Sequence, residues 1–133
     1  MSMSVIVTDT GFQADDWPEE ICKIDGLKAI DLHGDTSPEA LDPSVLKASH
    51  IRILIPGFAD GRGYTLAKQL RRKGFSGKLR AAGPIIADQY AMARRSGFDE
   101  VEIPDALAAR QPEADWLARS DWQGASYQVR LKA

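Results

Sequence analysis

A glycine-rich turn between an apolar run and a basic helical pattern holds the residue types best suited to bind an anion. Gly61 and Gly63 allow a close approach to the backbone, and Asp60 and Arg62 stand beside them. The first amides of a helix favour an anion by about 0.3–1 kcal/mol, and a charge-assisted hydrogen bond from arginine adds about 1.5–3 kcal/mol. The turn is therefore a candidate anion site. Two alternatives remain open: Asp60 caps the helix while Arg62 pairs with a neighbouring acid, or the turn contacts a partner protein.

The turn fits neither of the two common glycine motifs that bind phosphate. Counted from Gly57, a phosphate-binding loop would need Gly-Lys-Ser/Thr where the chain has Arg62-Gly63-Tyr64. The dinucleotide motif would need a third glycine where the chain has Leu66. We still expect Gly61 and Gly63 each to need a positive φ or a close backbone approach, whatever the ligand.

A second turn repeats the arrangement farther along the chain. Arg80 lies late in the next apolar strand, and Asp88 and Gln89 lie in the first turns of the helical pattern that follows. If both turns meet at one edge of a sheet, Asp60, Arg62, Arg80 and Asp88 line a shared crevice for an anion or an anionic cofactor. The alternative is an internal network of arginine and aspartate ion pairs.

The elements that must position these residues read as two consecutive β-α units. Apolar strands are predicted at 51–55, 78–82 and 99–103, and the helical patterns between them end at Gly74-Phe75 and Gly97-Phe98. Strands joined by single helices through short loops run parallel. The prediction is an α/β domain with a parallel β-α-β-α-β core over residues 51–103, in a flavodoxin-like or half-barrel-like three-layer arrangement.

Weaker patterns flank this core. They predict a strand near residues 5–7, a strand at 27–32, a short helix or two single turns between 37 and 48, a helix that starts at Pro112, and an edge strand at 125–131.

Composition bounds the function. The 133 residues fit a single domain, 1–133, and the net charge of −2 gives no electrostatic reason to expect a nucleic-acid partner. No apolar run could cross a membrane and no signal peptide is visible, so we expect a cytoplasmic protein. One cysteine, Cys22, and two histidines, His33 and His50, argue against a disulfide and a protein-built metal site. The cofactor and the oligomeric state stay open.

Several motifs also occur in one order along the chain: Phe58 to Thr65, Leu70-Arg71, Gly77 to Gly83, Asp88-Gln89, Gly97-Phe98-Asp99 and Tyr127-Gln128. Together they resemble a bacterial domain family of unassigned function that carries an oxidoreductase label connected with sulfite reduction. Genes of that family commonly lie beside those of assimilatory sulfite reductase. The chain departs from the family pattern at Ser96, where a cysteine is typical, and at Pro84, where an aspartate is common.

The resemblance implies a pathway, sulfur assimilation, more directly than a reaction. We expect an accessory of sulfite reduction with an anion- or cofactor-binding crevice at the two turns, and sulfite reductase or another enzyme of the pathway as partner. The alternatives are a catalytic oxidoreductase with a bound redox cofactor, and a docking module. Such a module would use the basic helix ends and Trp116 or Trp122.

Overall fold

The computed structural model describes residues 4–13, 29–37, 39, 41, 43–57 and 61–120. In this part of the chain six strands form one sheet, and helices flank it. The strands are β1 (Ser4–Thr8), β2 (Gly11–Gln13), β3 (Ala29–His33), β4 (His50–Leu54), β5 (Lys78–Ala82) and β6 (Glu100–Pro104). The helices are α1 (Arg62–Arg72), α2 (Tyr90–Ser96), α3 (Asp105–Arg110) and α4 (Glu113–Leu117), with 3-10 helices at Pro43–Lys47 and Ala87–Gln89.

The sheet confirms the predicted parallel core. Its strand order is β2-β1-β6-β5-β4-β3; β3 to β6 are mutually parallel, whereas β1 pairs antiparallel with both β6 and β2. The α/β class and the single small domain are as predicted. We call the side of the sheet where β3 to β6 begin the amino edge, and the side where they end the carboxyl edge.

One face of the sheet carries the hydrophobic core. Ile51, Ile53, Leu79, Val101 and Ile103 alternate along the strands, are fully buried and belong to one apolar cluster. The same cluster contains buried side chains from all four α-helices. Burial of each large aliphatic side chain stabilises the fold by about 1.5–3 kcal/mol, so this face sets the positions of the helices.

The helices α1 and α2 end at the glycines that the sequence predicts. Gly74 and Gly97 have φ of 106° and 113°, which glycine adopts without steric cost. The amide of Phe75 then donates to Leu70 O (3.0 Å), and that of Phe98 donates to Ala93 O (3.2 Å). These bonds satisfy carbonyls that the helix ends would otherwise leave open.

The helix of the second β-α unit starts later than the sequence suggests. A proline at the first helical position would favour a start at Gly83-Pro84. Instead, the Ile85 amide donates to Gly83 O (2.8 Å) in a tight turn, Ile86 is extended, and helical structure begins only at Ala87. The short helix expected between 37 and 48 is the 3-10 helix Pro43–Lys47 in the described part of that stretch. The predicted strand at 125–131 lies outside the described residues.

Among the described helices, none combines the length and the apolar content that a membrane crossing requires.

Candidate functional site

The first turn of α1 opens at the carboxyl edge, and within the described residues no side chain caps its backbone donors. Gly61 precedes the helix and offers no side-chain cap, and the first turn contains no acidic residue. The first intrahelical bond runs from the Thr65 amide to Gly61 O (3.3 Å). The amides before Thr65 therefore have no carbonyl partner within the helix, and they point toward the carboxyl edge.

Gly63 holds this turn tightly against β4. A Cβ at Gly63 would lie 2.8 Å from Ile55 Cγ1 and 3.4 Å from Ile53 Cγ2, closer than packed carbons approach. Its backbone also meets the turn after β3, because a Cβ at Gly34 would lie 3.4 Å from Gly63 Cα and 2.9 Å from Leu54 O. The prediction of a close approach is confirmed for Gly63, and it brings the β3 turn to the start of α1.

Gly83 closes the other side of β4. Its φ is 152°, and a Cβ there would overlap the carbonyl oxygen of Ile55. The Ile55 amide donates to Ala82 O (2.8 Å), and the Gly34 amide donates to Leu54 O (2.8 Å). The last residues of β4 are thus clamped between two glycine turns, which fixes where the following loop leaves the sheet.

Gly57 and Gly61, at the two ends of that loop, have no such reason to be glycine. A Cβ at either would meet no atom of the described residues within 4 Å, and neither has a positive φ; Gly61 has φ −89°. The expectation that Gly61 needs special geometry within the chain is therefore wrong. A glycine that its own chain does not require leaves room for an external group to approach the backbone.

Arg62, the first residue of α1, is exposed beside the uncapped amides. It makes at least one interaction within the chain, so its guanidinium is not unpartnered. Asp60, the predicted cap or site carboxylate, lies outside the described residues.

Arg80 does not line this turn. Residues alternate along β5, and the core side chains Leu79 and Ala81 point to the helices, so Arg80 points to the opposite face. Its side chain is only 1% exposed, and its Nε–H donates to Glu100 Oε2 (2.6 Å) while Nη1 donates to Glu102 Oε1 (3.1 Å). The predicted crevice shared by Arg62 and Arg80 is therefore wrong, because the sheet separates Arg80 from the helix layer.

Arg80 belongs instead to a row of charges across four strands, which we call the charge ladder: Asp31, Arg52, Arg80, Glu100 and Glu102. Arg52 stands directly opposite Arg80 on the neighbouring strand, and Glu102 Oε1 accepts a bond of 3.1 Å from each. Arg52 also donates to Asp31, at 2.7 and 2.9 Å, and this bond raises the pKa of Arg52 above its usual value. Of the residues in the alternative internal network, only Arg80 belongs to the charge ladder; Asp88 pairs with Arg119 instead, and Asp60 lies outside the described residues.

Asp88 and Gln89 also have structural partners. Asp88 Oδ1 accepts from Arg119 Nη2 (2.6 Å) on the exposed surface, and Gln89 Oε1 accepts from the Ile86 amide (3.2 Å). The second turn therefore does not bring Asp88 to Arg80.

Sequence reasoning missed Glu100 and Glu102 as the partners of Arg80. Their signal was present: Glu100-Val101-Glu102-Ile103 alternates charged and apolar residues, as Lys78-Leu79-Arg80 does on the neighbouring strand. Reading the two alternations together would have placed all the charges on one face.

Two buried tyrosines have perturbed hydroxyls. Burial raises the pKa of Tyr64 to about 12, and its hydroxyl has no hydrogen-bond partner in the described structure. Burial also raises the pKa of Tyr90, and the bond that Tyr90 donates to Asp9 (2.5 Å) raises it further. Tyr64 packs edge-on against Phe98 with ring centroids 6.0 Å apart, so it lies in the helix layer.

Trp116, a predicted docking residue, is 1% exposed, and its indole Nε1 donates to Gln111 O (3.0 Å). It packs edge-on against Tyr90 in the core, so it is not available for docking. Trp122 lies outside the described residues. Among the described side chains no group of three or more His, Cys, Asp or Glu is arranged to hold a metal ion.

Comparison with known proteins gives one match. No curated protein and no solved structure matches the chain. The family described as "Bacterial protein of unknown function (DUF934)" matches residues 29–133, which include β3 to β6, the uncapped turn of α1 and the charge ladder. Because the match spans most of its length, the chain belongs to this bacterial family of unknown function.

Proposed function

We propose that this protein binds a small oxyanion at the first turn of α1 and serves as an accessory of sulfite reduction. The observation that carries the proposal is the uncapped turn that begins at Arg62, held rigidly at the carboxyl edge by Gly63 and reached through open glycines. The carboxyl edge of parallel strands is where open α/β sheets bind ligands.

The geometry supplies the donors that an oxyanion needs. Backbone amides of the first helical turn point along the axis, and the partial positive charge of the helix end lies at the same place. The Arg62 guanidinium starts from the same turn and adds a full positive charge. Among the residues that the structure describes, the first turn of α1 contains no acidic residue, and Gly61 before it supplies no side-chain cap for these donors.

The expected affinity is modest. A helix end contributes about 0.3–1 kcal/mol and one charge-assisted bond about 1.5–3 kcal/mol. The total corresponds to a Kd of about 1 mM or weaker. Binding of this strength suits an accessory that hands an anion to an enzyme or senses its concentration.

The resemblance to a family associated with sulfite reduction supports sulfite and sulfate as the anions to test first. Both carry negative oxygens at a spacing that helix amides and a guanidinium can contact together. Phosphate offers the same chemistry and is the appropriate comparison.

A thermal-unfolding titration tests the proposal. Wild type, Arg62→Gln and Arg72→Gln are melted with increasing sulfite, sulfate or phosphate against sodium chloride of equal ionic strength, followed by circular dichroism. Arg72 is an exposed arginine at the other end of the same helix, so its variant is the matched control.

We expect a saturable rise of Tm in wild type and in Arg72→Gln, and a much smaller rise in Arg62→Gln, because ligand binding stabilises only the folded state. Equal responses of all three proteins would contradict the anion site. A flavin or haem absorption spectrum in the purified protein would instead favour the catalytic oxidoreductase.

A further inference from the structure

The amino edge of the sheet carries a second feature, at the far end of the strands from α1's first turn. The C-terminal ends of α1 and α2 lie side by side there, and a shallow depression of about 540 Å³ opens between them. It is lined by Arg71, Ser76, Gly77, Lys78, Arg94 and Asp99, together with Gly97.

Arg71, at the end of α1, lines this depression, and every nitrogen of its guanidinium donates to hydrogen bonds within the chain. Arg71 donates through Nε to Gly97 O (3.0 Å), through Nη1 to Phe75 O (3.0 Å) and Gly77 O (2.8 Å), and through Nη2 to Asp99 (2.9 Å). Its guanidinium therefore ties together the turns that follow both helices.

Arg94, at the end of α2, is committed in the same way. It donates through Nη1 to Phe98 O (2.5 Å), and through Nε and Nη2 to the carboxylate of Asp9 (3.3 and 3.2 Å). With both guanidinium groups held by the chain, the depression lacks an uncommitted arginine fork that could grip a small anion.

Further cations lie next in sequence to these arginines or at the end of the 3-10 helix before β4, and they face solvent. Arg72 and Arg95 end the two helices, Lys47 ends the 3-10 helix that leads into β4, and all three are exposed. We call this surface the basic pole: Lys47, Arg71, Arg72, Lys73, Lys78, Arg94 and Arg95.

Among the described residues, acids do not balance the basic pole. Asp9 and Asp99 pair with Arg94 and Arg71, and Glu100 is buried beneath Lys78. The hydrogen bond from Ser37 is the main cause that lowers the pKa of Glu39, and the charge of Lys73 lowers it a little further. The cations still outnumber these acids, although the whole chain has a net charge of −2. Within the part of the chain that the structure describes, positive charge is therefore concentrated at the amino edge.

We propose that the basic pole docks an acidic surface of a partner protein. The depression is wide and shallow, which fits a protein surface better than a small ligand, and the exposed cations of the basic pole lie on elements that end at the same edge of the sheet. A protein partner fits better than nucleic acid, because a long polyanion would extend past the pole over the rest of an acidic chain. This inference does not rest on the anion site, which lies at the opposite edge of the sheet.

Docking of this kind speeds association and depends on salt, because exposed charges are screened over about 10 Å at 0.1 M ionic strength. The pole would orient the partner so that the carboxyl edge, with the α1 turn, faces away from the contact.

The test uses the full chain and poly-L-glutamate as an acidic polypeptide probe, with binding measured by fluorescence anisotropy at about 25 mM salt, where screening is weak. The test variant is Arg72→Glu with Arg95→Glu. The control is Arg110→Glu with Arg119→Glu, which reverses two exposed arginines on and after α3 and α4. Circular dichroism checks that every variant is folded.

We expect wild type to bind the probe, the test variant to bind about tenfold or more weakly, and the control to stay within about twofold. Absence of binding by wild type, or equal weakening by the control, would overturn the proposal. Tighter binding of a short DNA duplex than of poly-L-glutamate would also overturn it in favour of nucleic acid. If sulfate weakened probe binding more than sodium chloride of equal ionic strength does, the basic pole would instead be a site for small anions, and the docking proposal would be overturned.

The two proposals fail independently. If Arg62→Gln lost the rise of Tm with sulfite or sulfate but still bound poly-L-glutamate as wild type does, the result would support two separate sites. A basic pole that binds no acidic polypeptide leaves the Arg62 titration unaffected.

Discussion

Arg80 is charged and almost fully buried because two glutamates and the neighbouring strand surround its guanidinium. Glu100 and Glu102 lie on β6 next to it, and Arg52 competes for Glu102 from the other side. Each ladder charge therefore has an opposite charge within hydrogen-bond distance, which offsets the cost of removing it from water.

Breaking this network should be costly. Arg80→Met leaves the buried Glu100 and the partly buried Glu102 with less positive charge beside them, and we expect a loss of about 3–5 kcal/mol in the free energy of unfolding. Asp88→Asn removes the exposed pair with Arg119 and should cost about 1 kcal/mol or less. Urea unfolding of both variants measures the difference, and similar losses would refute the buried network.

We expect removal of the hydroxyl to change stability in opposite directions at Tyr64 and at Tyr90. The Tyr64 hydroxyl is buried without a partner, so Tyr64→Phe should stabilise the protein by about 1 kcal/mol. The Tyr90 hydroxyl donates to Asp9, so Tyr90→Phe should destabilise it by about 1 kcal/mol or more. Chemical unfolding measures both; a destabilised Tyr64→Phe would mean that this hydroxyl has a partner.

At the scale of elements, the β-α units follow from local sequence while the contacts between units do not. Gly77 and Gly83 bound Lys78–Ala82 so closely that both ends of β5 are predicted correctly. The stops at Gly74 and Gly97 follow from the left-handed conformation that glycine allows. These signals depend only on residues a few positions apart.

The candidate site was only partly predictable for the same reason. The start of α1 and the tight packing at Gly63 follow from the turn itself, whereas the partners of Arg80 come from a strand twenty residues later. The β3 turn at Gly34 meets Gly63 only after the sheet forms. Which face a charged strand residue takes depends on the neighbouring strands, which the order of elements alone does not give.

Two glycines at the carboxyl edge should respond differently to substitution, because Gly63 is packed against β4 and Gly57 is not. Gly63→Ala places a methyl group against Ile55 and should cost about 1–3 kcal/mol. Gly57→Ala meets open space and should change stability by no more than about 0.5 kcal/mol. Thermal and urea unfolding of the pair check this, and a strongly destabilised Gly57→Ala would show that the loop is packed.

At the scale of the whole molecule, the two proposed surfaces lie at opposite edges of one sheet. In the two β-α units, α1 and α2 each begin after the carboxyl end of one parallel strand and end before the amino end of the next, so backbone donors collect at the carboxyl edge. The arginines at the helix ends then collect at the other. The fold thereby separates an anion site from a docking surface.

The most direct measurement of the central claim is a titration of the ¹⁵N-labelled protein with sulfite and sulfate, followed by amide chemical shifts. We expect saturable shifts that are largest for the amides of residues 61–65 and that reach Gly34 through its contact with Gly63. Shifts concentrated at Gly77 and Gly97 on the amino edge, or shifts that never saturate, would contradict an anion site at the start of α1.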